Sequence, residues 1–298
     1  MIQLGIKVDV DTLKGYTEGV PRLLDLFGKY GKRVSVFFSF GPDNSGKAIR
    51  RVFRKGFLSK MMRTKAPSTY GFKTLLYGTL LPAPMIVPSA PDIFKRAVDE
   101  GHDCGVHSWD HVFVQDKLYK LTKEQFEEQY DRAAELFDKL SGKFPRSYAA
   151  PGWQVSKASL SVIDERGLKY ASDSRGTSPF LPVVDGEEFR TLQIPTTLPT
   201  MDEIIGLPFV DDNTMIEMWV RGMSNEWNVL TIHAEMEGMS KLNVLEKLLQ
   251  SCESEEVDII ALDDIAAAAK AKRCEVKSGE IPGRAGTLAV QADGLVAL

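Results

Sequence analysis

The rhythm of the first forty residues most constrains what this chain can become. Ile2 to Val10 alternates and closes in Val8-Asp9-Val10-Asp11, the pattern of a buried strand with polar residues at its C-terminal end. Glu18 to Tyr30 sets Val20, Leu23, Leu24 and Phe27 at helical spacing, and Gly28 and Gly31 mark the end. Val34 to Phe38 is a second apolar run. Strand, helix, strand at this spacing opens a βαβ unit, which implies a parallel sheet covered by helices. After Pro91 the rhythm returns, with a helix over 92–100 and a strand over 103–107. Thr122 and Gln125 form a capping box ahead of Phe126, Tyr130, Ala133, Phe137 and Leu140, which predicts a long amphipathic helix. A strand at 147–149, a helix over 156–166 and strands over 169–172 and 191–195 follow. A helix near 212–224, a strand over 228–232 and an αβα passage through 242–272 complete the alternation. From Cys274 the chain is Gly-rich and poorly patterned, and is expected to pack on the surface or fray. The length of 298 residues suits a single (β/α) barrel.

The polar candidates share a placement, each following an apolar strand: Asp9 and Asp11 the first, His107 and His111 a middle one, Asp173 a later one and His233 another. In a parallel barrel the C-terminal strand ends converge on one mouth, so residues far apart in sequence meet there. The chain holds four histidines, and two of them stand four residues apart in His107-Ser108-Trp109-Asp110-His111. That spacing lets two imidazoles on one helical turn grip one ion. One aspartate and two histidines make a three-ligand site that leaves positions open for water or substrate. Period two puts Asp9 and Asp11 on one face of their strand, so one can bind metal while the other takes a proton from water. His233 can then protonate a leaving amine. Taken singly, each piece has an ordinary reading. Asp-x-Asp also serves sugar-nucleotide transferases, and a lone histidine or aspartate is more often structural. Together they describe amide hydrolysis.

Charge is distributed unevenly. Net charge is −4, yet residues 44–91 contain no Asp or Glu and nine basic residues, leaving −13 on the remainder. The mildly acidic whole argues against general nucleic-acid binding. Within that segment Arg50, Arg51, Arg54, Lys55, Lys60 and Arg63 interleave with Phe53, Phe57, Leu58, Met61 and Met62. Cations among large apolar residues suit the headgroup region of an anionic membrane; the alternative is a helical hairpin with a basic solvent face. Cys104, Cys252 and Cys274 are scattered, which indicates neither a disulfide framework nor a thiolate zinc site. No signal-peptide layout and no apolar run of eighteen residues is visible, so a cytosolic protein is expected.

Four blocks carry a resemblance: Val8 to Thr12, His107 to His111, Ala150-Pro151-Gly152-Trp153 and Leu230-Thr231-Ile232-His233. In this order they resemble the motifs of the NodB-type polysaccharide deacetylases. Val20 to Leu24, Phe37 to Asn44, Ser172 to Gly176 and Ile194 to Thr200 are similar to one branch of that family. Its members deformylate undecaprenyl-phosphate-linked 4-deoxy-4-formamido-L-arabinose on the route to aminoarabinose-modified lipid A. The resemblance implies an irregular, incomplete (β/α) barrel over residues 1–273, with 44–91 as a docking insertion and 274–298 as a tail. It implies that Asp11, His107 and His111 hold one divalent ion (zinc, cobalt, nickel or manganese), that Asp9 is general base and that His233 is general acid. A lipid-linked sugar gives the insertion a purpose, docking the enzyme on the inner leaflet of the inner membrane. Two positions depart from the family pattern: a valine separates the aspartates of the first motif, and Ala149 stands where many members carry a base-orienting arginine. Arg175, or else Arg146, is the expected substitute, with Asp173, Trp153 and Thr197 as further base-orienting or substrate-binding candidates. The rival functions are deacetylation of an N-acetylhexosamine on the same carrier and non-catalytic binding of the lipid-linked sugar.

Overall fold

Strand β1 (Gln3–Val10) is the axis of the fold in a computed structural model that describes residues 2–48, 73–223, 226–284 and 286–293. Along one edge it pairs in parallel with β9 (Trp227–His233), from Gln3 opposite Trp227 to Asp9 opposite His233. Its other edge is shared: Gln3 to Gly5 pair with β10 (Asp258–Ile260), and Lys7 to Val10 pair with β2 (Ser35–Ser39). The sheet continues in parallel through β3 (Asp103–Ser108), β4 (Ser147–Tyr148), β5 (Tyr170–Ala171) and β8 (Leu192–Gln193). No ladder closes the circle between β8 and β9. Instead Thr197 and Leu198 donate their backbone N–H to Val229 O at 3.0 Å, and Val229 N donates to Thr197 Oγ1 at 2.9 Å. The result is the incomplete (β/α) barrel expected from the sequence.

Alternation along β1 sorts its residues between two environments. Leu4, Ile6, Val8 and Val10 face outward into the main core, shared with Leu23, Leu24 and Phe27 of α1 (Val20–Lys29). Gly5, Lys7 and Asp9 face the barrel interior. There a smaller apolar cluster of Phe37, Ala149, Tyr170, Ile194 and Val229 fills the space. Burial on both faces is why these strands read as continuous apolar runs. The outer helices are α2 (Pro91–Asp99), α3 (His111–Lys117), α4 (Lys123–Ser141), α5 (Lys157–Glu165), α6 (Met201–Ile204), α7 (Asp212–Gly222), α8 (Leu242–Ser254) and α9 (Leu262–Ala268). The expected capping box opens α4, and Gly142 ends it in the left-handed region at φ 71°.

The C-terminal stretch differs from expectation. β11 (Lys272–Gly279) runs parallel to β6 (Phe180–Val184), which forms a small hairpin with β7 (Glu187–Glu188), and β12 (Leu288–Gln291) pairs antiparallel to β11. Leu288, Ala289 and Val290 are buried. The strand partner comes from ninety residues upstream, a long-range pairing that local pattern does not announce. The docking candidates Arg50, Arg51, Arg54, Lys55, Lys60 and Arg63 lie outside the described residues. Among the described residues no helix is long and apolar enough to cross a membrane.

Candidate metal and catalytic site

Asp11 lies just beyond the end of β1, His107 near the end of β3, and His111 is the first residue of α3. The two histidines are therefore joined by a strand–turn–helix rather than stacked on one helical turn. Asp110 caps α3, its Oδ1 accepting from Phe113 N at 3.0 Å, while Oδ2 accepts from Asn44 Nδ2 at 2.6 Å. The turn is held against the loop after β2 by Gly41, whose N–H donates to Trp109 O at 2.9 Å. A Cβ there would come within 2.5 Å of that oxygen and 2.7 Å of the indole, so only glycine fits.

One ligand atom from each of Asp11, His107 and His111 lies within 4.8 Å of the others. His107 Nε2 is 3.2 Å from Asp11 Oδ1, and His111 Nε2 is 3.4 Å from Asp11 Oδ2. His107 Nδ1 lies 2.6 Å from Ala149 O, which can only accept, so Nδ1 carries a proton and Nε2 is the nitrogen left to bind an ion when the ring is neutral. Asp11 Oδ1 is buried and has no hydrogen-bond partner among the described residues. Donor chemistry, tautomer and orphaned oxygen all fit a divalent ion with one carboxylate and two imidazole ligands. Burial alone would push the Asp11 acid up, but His111 and His107, with His233 behind them, hold it far below the ordinary carboxylate range.

Asp9 is 4% exposed, and among the described residues its Oδ1 has no hydrogen-bond partner. Its Oδ2 lies 3.2 Å from Nζ of Lys7, a fully buried lysine two residues earlier on β1. A lysine in a strand normally marks a solvent-facing position, so Lys7 carries no local signal of this placement. Across the β1–β9 ladder stands His233, whose backbone N–H donates to Glu237 Oε2 at 2.9 Å and whose buried Nδ1 has no partner among the described residues. Burial would lower its pKa, but Asp202, Asp11, Glu237 and Asp9 outweigh that and raise it.

Two further buried acids went unnoticed in the sequence, though Glu235 and Glu237 follow His233 at intervals of two. Glu235 Oε1 accepts from Asp11 N at 3.0 Å, Thr12 N at 2.7 Å and Thr12 Oγ1 at 2.8 Å, fixing the backbone that carries the ligand. Burial and the Asp11 charge push its acid well up. Burial likewise raises Glu237 to about 7.

The remaining candidates are arranged differently from the triad. Arg175 places its guanidinium on Glu203 Oε1 at 2.6 Å and on the Thr196 and Leu198 carbonyls. Those contacts engage it away from Asp9, where the cation is Lys7. Asp173 accepts from Ala150 N at 2.8 Å and Gln193 Nε2 at 3.1 Å, and burial raises its acid to about 7. Trp153 is buried at φ 53° and donates to Thr196 Oγ1 at 3.0 Å, with Lys7, Arg175 and Arg284 cations 5.4, 5.4 and 4.4 Å from its ring. Thr197 serves the β9 closure described above.

A parallel barrel whose mouth joins a two-histidine, one-carboxylate cluster to a buried carboxylate and a facing imidazole defines a hydrolase of linear amides. Comparison with known proteins gives the family. The polysaccharide deacetylase model matches residues 10–171, and the chain belongs to that family. It is 36% identical over 293 residues to a Shewanella sediminis protein named "Probable 4-deoxy-4-formamido-L-arabinose-phosphoundecaprenol deformylase ArnD", covering 97% of this chain and 95% of the other. A protein of the same name from Wigglesworthia glossinidia brevipalpis is 30% identical, with 92% and 96% covered. Among solved structures, one described as a "putative polysaccharide deacetylase from Mycobacterium smegmatis" superposes with a TM-score of 0.63 at 15% identity, covering 89% of this chain and 88% of that one. That likeness speaks for the fold. The family is metal-dependent, in keeping with the Asp11, His107 and His111 cluster.

Proposed function

We propose that this enzyme removes the N-formyl group from undecaprenyl-phosphate-linked 4-deoxy-4-formamido-L-arabinose, a step in lipid A modification. The observation that carries the reading is the likeness to the two named deformylases over nearly the whole length of both chains. Peptidoglycan deacetylases from Helicobacter pylori and Listeria monocytogenes match only 26% and 47% of this chain.

The site geometry supports a stepwise account. A zinc, cobalt, nickel or manganese ion on Asp11, His107 and His111 would polarise the formyl oxygen and acidify a neighbouring water. Asp9 Oδ1, buried with no competing donor among the described residues, is the atom that takes the proton as the water oxygen bonds to the formyl carbon. His233 sits across the ladder and is biased towards its protonated form by the surrounding acids. It delivers a proton to nitrogen as the C–N bond breaks, leaving formate and the free amine. Net, one water is consumed, and Asp9 and His233 exchange protons with solvent to reset.

A lipid carrier requires access to a membrane surface. Supporting this, the acid-free segment 44–91 holds nine basic residues, and at its described end Leu80 is 81% exposed. We assign the segment to the inner leaflet, each cation near an anionic surface adding about 1 kcal/mol. Sedimentation with phosphatidylglycerol vesicles tests this. Binding should be lost when Arg50, Arg51, Arg54, Lys55, Lys60 and Arg63 become Gln, and undiminished binding would remove the assignment.

For the reaction itself, metal-loaded protein is incubated with the formamidoarabinose lipid and with an N-acetylhexosamine on the same carrier, and products are read by mass spectrometry. Loss of 28 Da (CO) from the first is expected to run about 10–200-fold faster than loss of acetyl from the second, the discrimination one extra methyl supplies. Loss of acetyl from the second alone would retain the mechanism and replace the substrate. Binding of both lipids without turnover under any of the four metals would favour the non-catalytic reading.

A further inference from the structure

We infer that Lys7 is the positioning residue for the Asp9 carboxylate, supplying from the same strand the cation that the third motif lacks. The inference rests on the proposed role of Asp9 as base, and it goes beyond that role by naming what aims it.

Four observations converge. Lys7 has no exposed surface, and its Nζ lies 3.2 Å from Asp9 Oδ2 and donates to Ser172 O at 3.2 Å. The ammonium is flanked by the Phe37 ring at 5.7 Å and the Trp153 ring at 5.4 Å. Carbonyl, carboxylate and two π faces together fix a flexible side chain at a single point, and a buried ammonium without such partners is strongly disfavoured. Second, period two puts Lys7 and Asp9 on the same interior face of β1, so their pairing is built into one rigid strand. Third, the third-motif position is Ala149, which contributes a methyl to the inner core and a carbonyl to His107 Nδ1, and no charge. Fourth, the other cations beside Trp153 are held elsewhere: Arg175 on Glu203, and Arg284 near Asp202 and Glu203 at 3.8 and 3.6 Å.

The geometry divides the work of the carboxylate. Lys7 occupies Oδ2, which leaves Oδ1, unpartnered among the described residues, as the atom for proton abstraction. A loss of that anchoring lets the carboxylate rotate, so it weakens the chemical step while leaving substrate affinity and metal affinity intact.

The test uses the full chain as wild type, Lys7→Met, Lys7→Gln and Lys7→Arg, with two substrates. One is the formamidoarabinose lipid. The other is 4-nitrophenyl acetate, whose leaving group needs no proton from His233, so it isolates the base. General-base contributions of about 10²–10⁴-fold set the scale, and kcat in Lys7→Met should fall by at least about 10²-fold with KM within about threefold. Zinc affinity by calorimetry should be unchanged, and Lys7→Arg should recover kcat to within about tenfold of wild type, because the charge is restored. If Lys7→Met does not fold, Lys7→Gln, which keeps a donor without the charge, is held to the same two criteria. Retention of wild-type kcat in a folded Met or Gln variant overturns the inference, as does an Arg variant no better than Met. Wild type that cleaves only the ester would refute the deformylase reading while the ester series still scores Lys7. Crystal structures of wild type and Lys7→Gln need no turnover at all: an Asp9 carboxylate in the same orientation in both would equally overturn the inference.

Discussion

Glu235 offers the sharpest test of how the metal ligand is held. It is 1% exposed, and one of its oxygens takes three hydrogen bonds, two of them from the backbone N–H groups of Asp11 and Thr12. Glu235→Ala strands those two donors in a site with little room for rearrangement. Each buried donor left unmade costs about 1–3 kcal/mol, while the Thr12 hydroxyl can turn elsewhere, so the variant should lose about 2–6 kcal/mol. Glu235→Gln keeps an acceptor at the same place and should lose about 1 kcal/mol or less. Urea unfolding of the metal-free proteins gives these differences directly. Calorimetric zinc affinity should fall about 10–100-fold in the Ala variant, the usual cost of removing a group that orients a ligand. The charge has its own signature. The Glu235 acid is pushed up in the folded protein, so its contribution is complete below the ordinary carboxylate range and is lost as pH rises through its folded value. Wild type should therefore lose stability relative to Glu235→Gln on going from acid to neutral pH. An Ala variant within 1 kcal/mol of wild type, with zinc affinity unchanged, would refute this account of the site.

Asp9→Asn should lower kcat by about 10²–10⁴-fold, with zinc affinity within a few-fold of wild type, because it removes a proton acceptor and not a ligand. His233→Ala should impair amide hydrolysis far more than hydrolysis of 4-nitrophenyl acetate; equal losses on both would remove the general-acid role. Chelation should abolish turnover reversibly, and His107→Ala should abolish calorimetric zinc binding while circular dichroism stays native. For Asp173, raised to about 7 by burial, the stabilising contribution is complete below pH 4 and lost through pH 7. Stability of wild type minus Asp173→Asn should fall across that window by as much as about 4 kcal/mol.

Much of the fold was legible because its elements follow local physics. β1 and β2 declare themselves through apolar runs, and α4 through a capping box and a glycine that accepts a left-handed backbone. The cluster of Asp11, His107 and His111 was legible too, since each follows a strand and parallel strand ends converge. The local reading of the two histidines was less accurate: the four-residue spacing suggested one helical face, whereas a strand end and a helix start deliver them. β6, β11 and β12 left little trace, because short strands owe their existence to distant partners rather than to their own periodicity.

The sequence by itself determined which residue types could do the chemistry and the order in which a barrel would present them. Strand periodicity and motif spacing are properties of a chain's near neighbours, and they survive without knowledge of the rest. Tertiary structure alone decided which charges meet. Arg175 and Lys7 are both cations within reach of Trp153, yet one is held by Glu203 and the other faces Asp9. Glu235 is a ligand's anchor only because β9 lies against β1 along its length. Electrostatic pairing depends on distance and burial, and the fold sets both, whether the partners stand two positions apart, as Lys7 and Asp9 do, or across the chain, as Glu235 and the Asp11 backbone do.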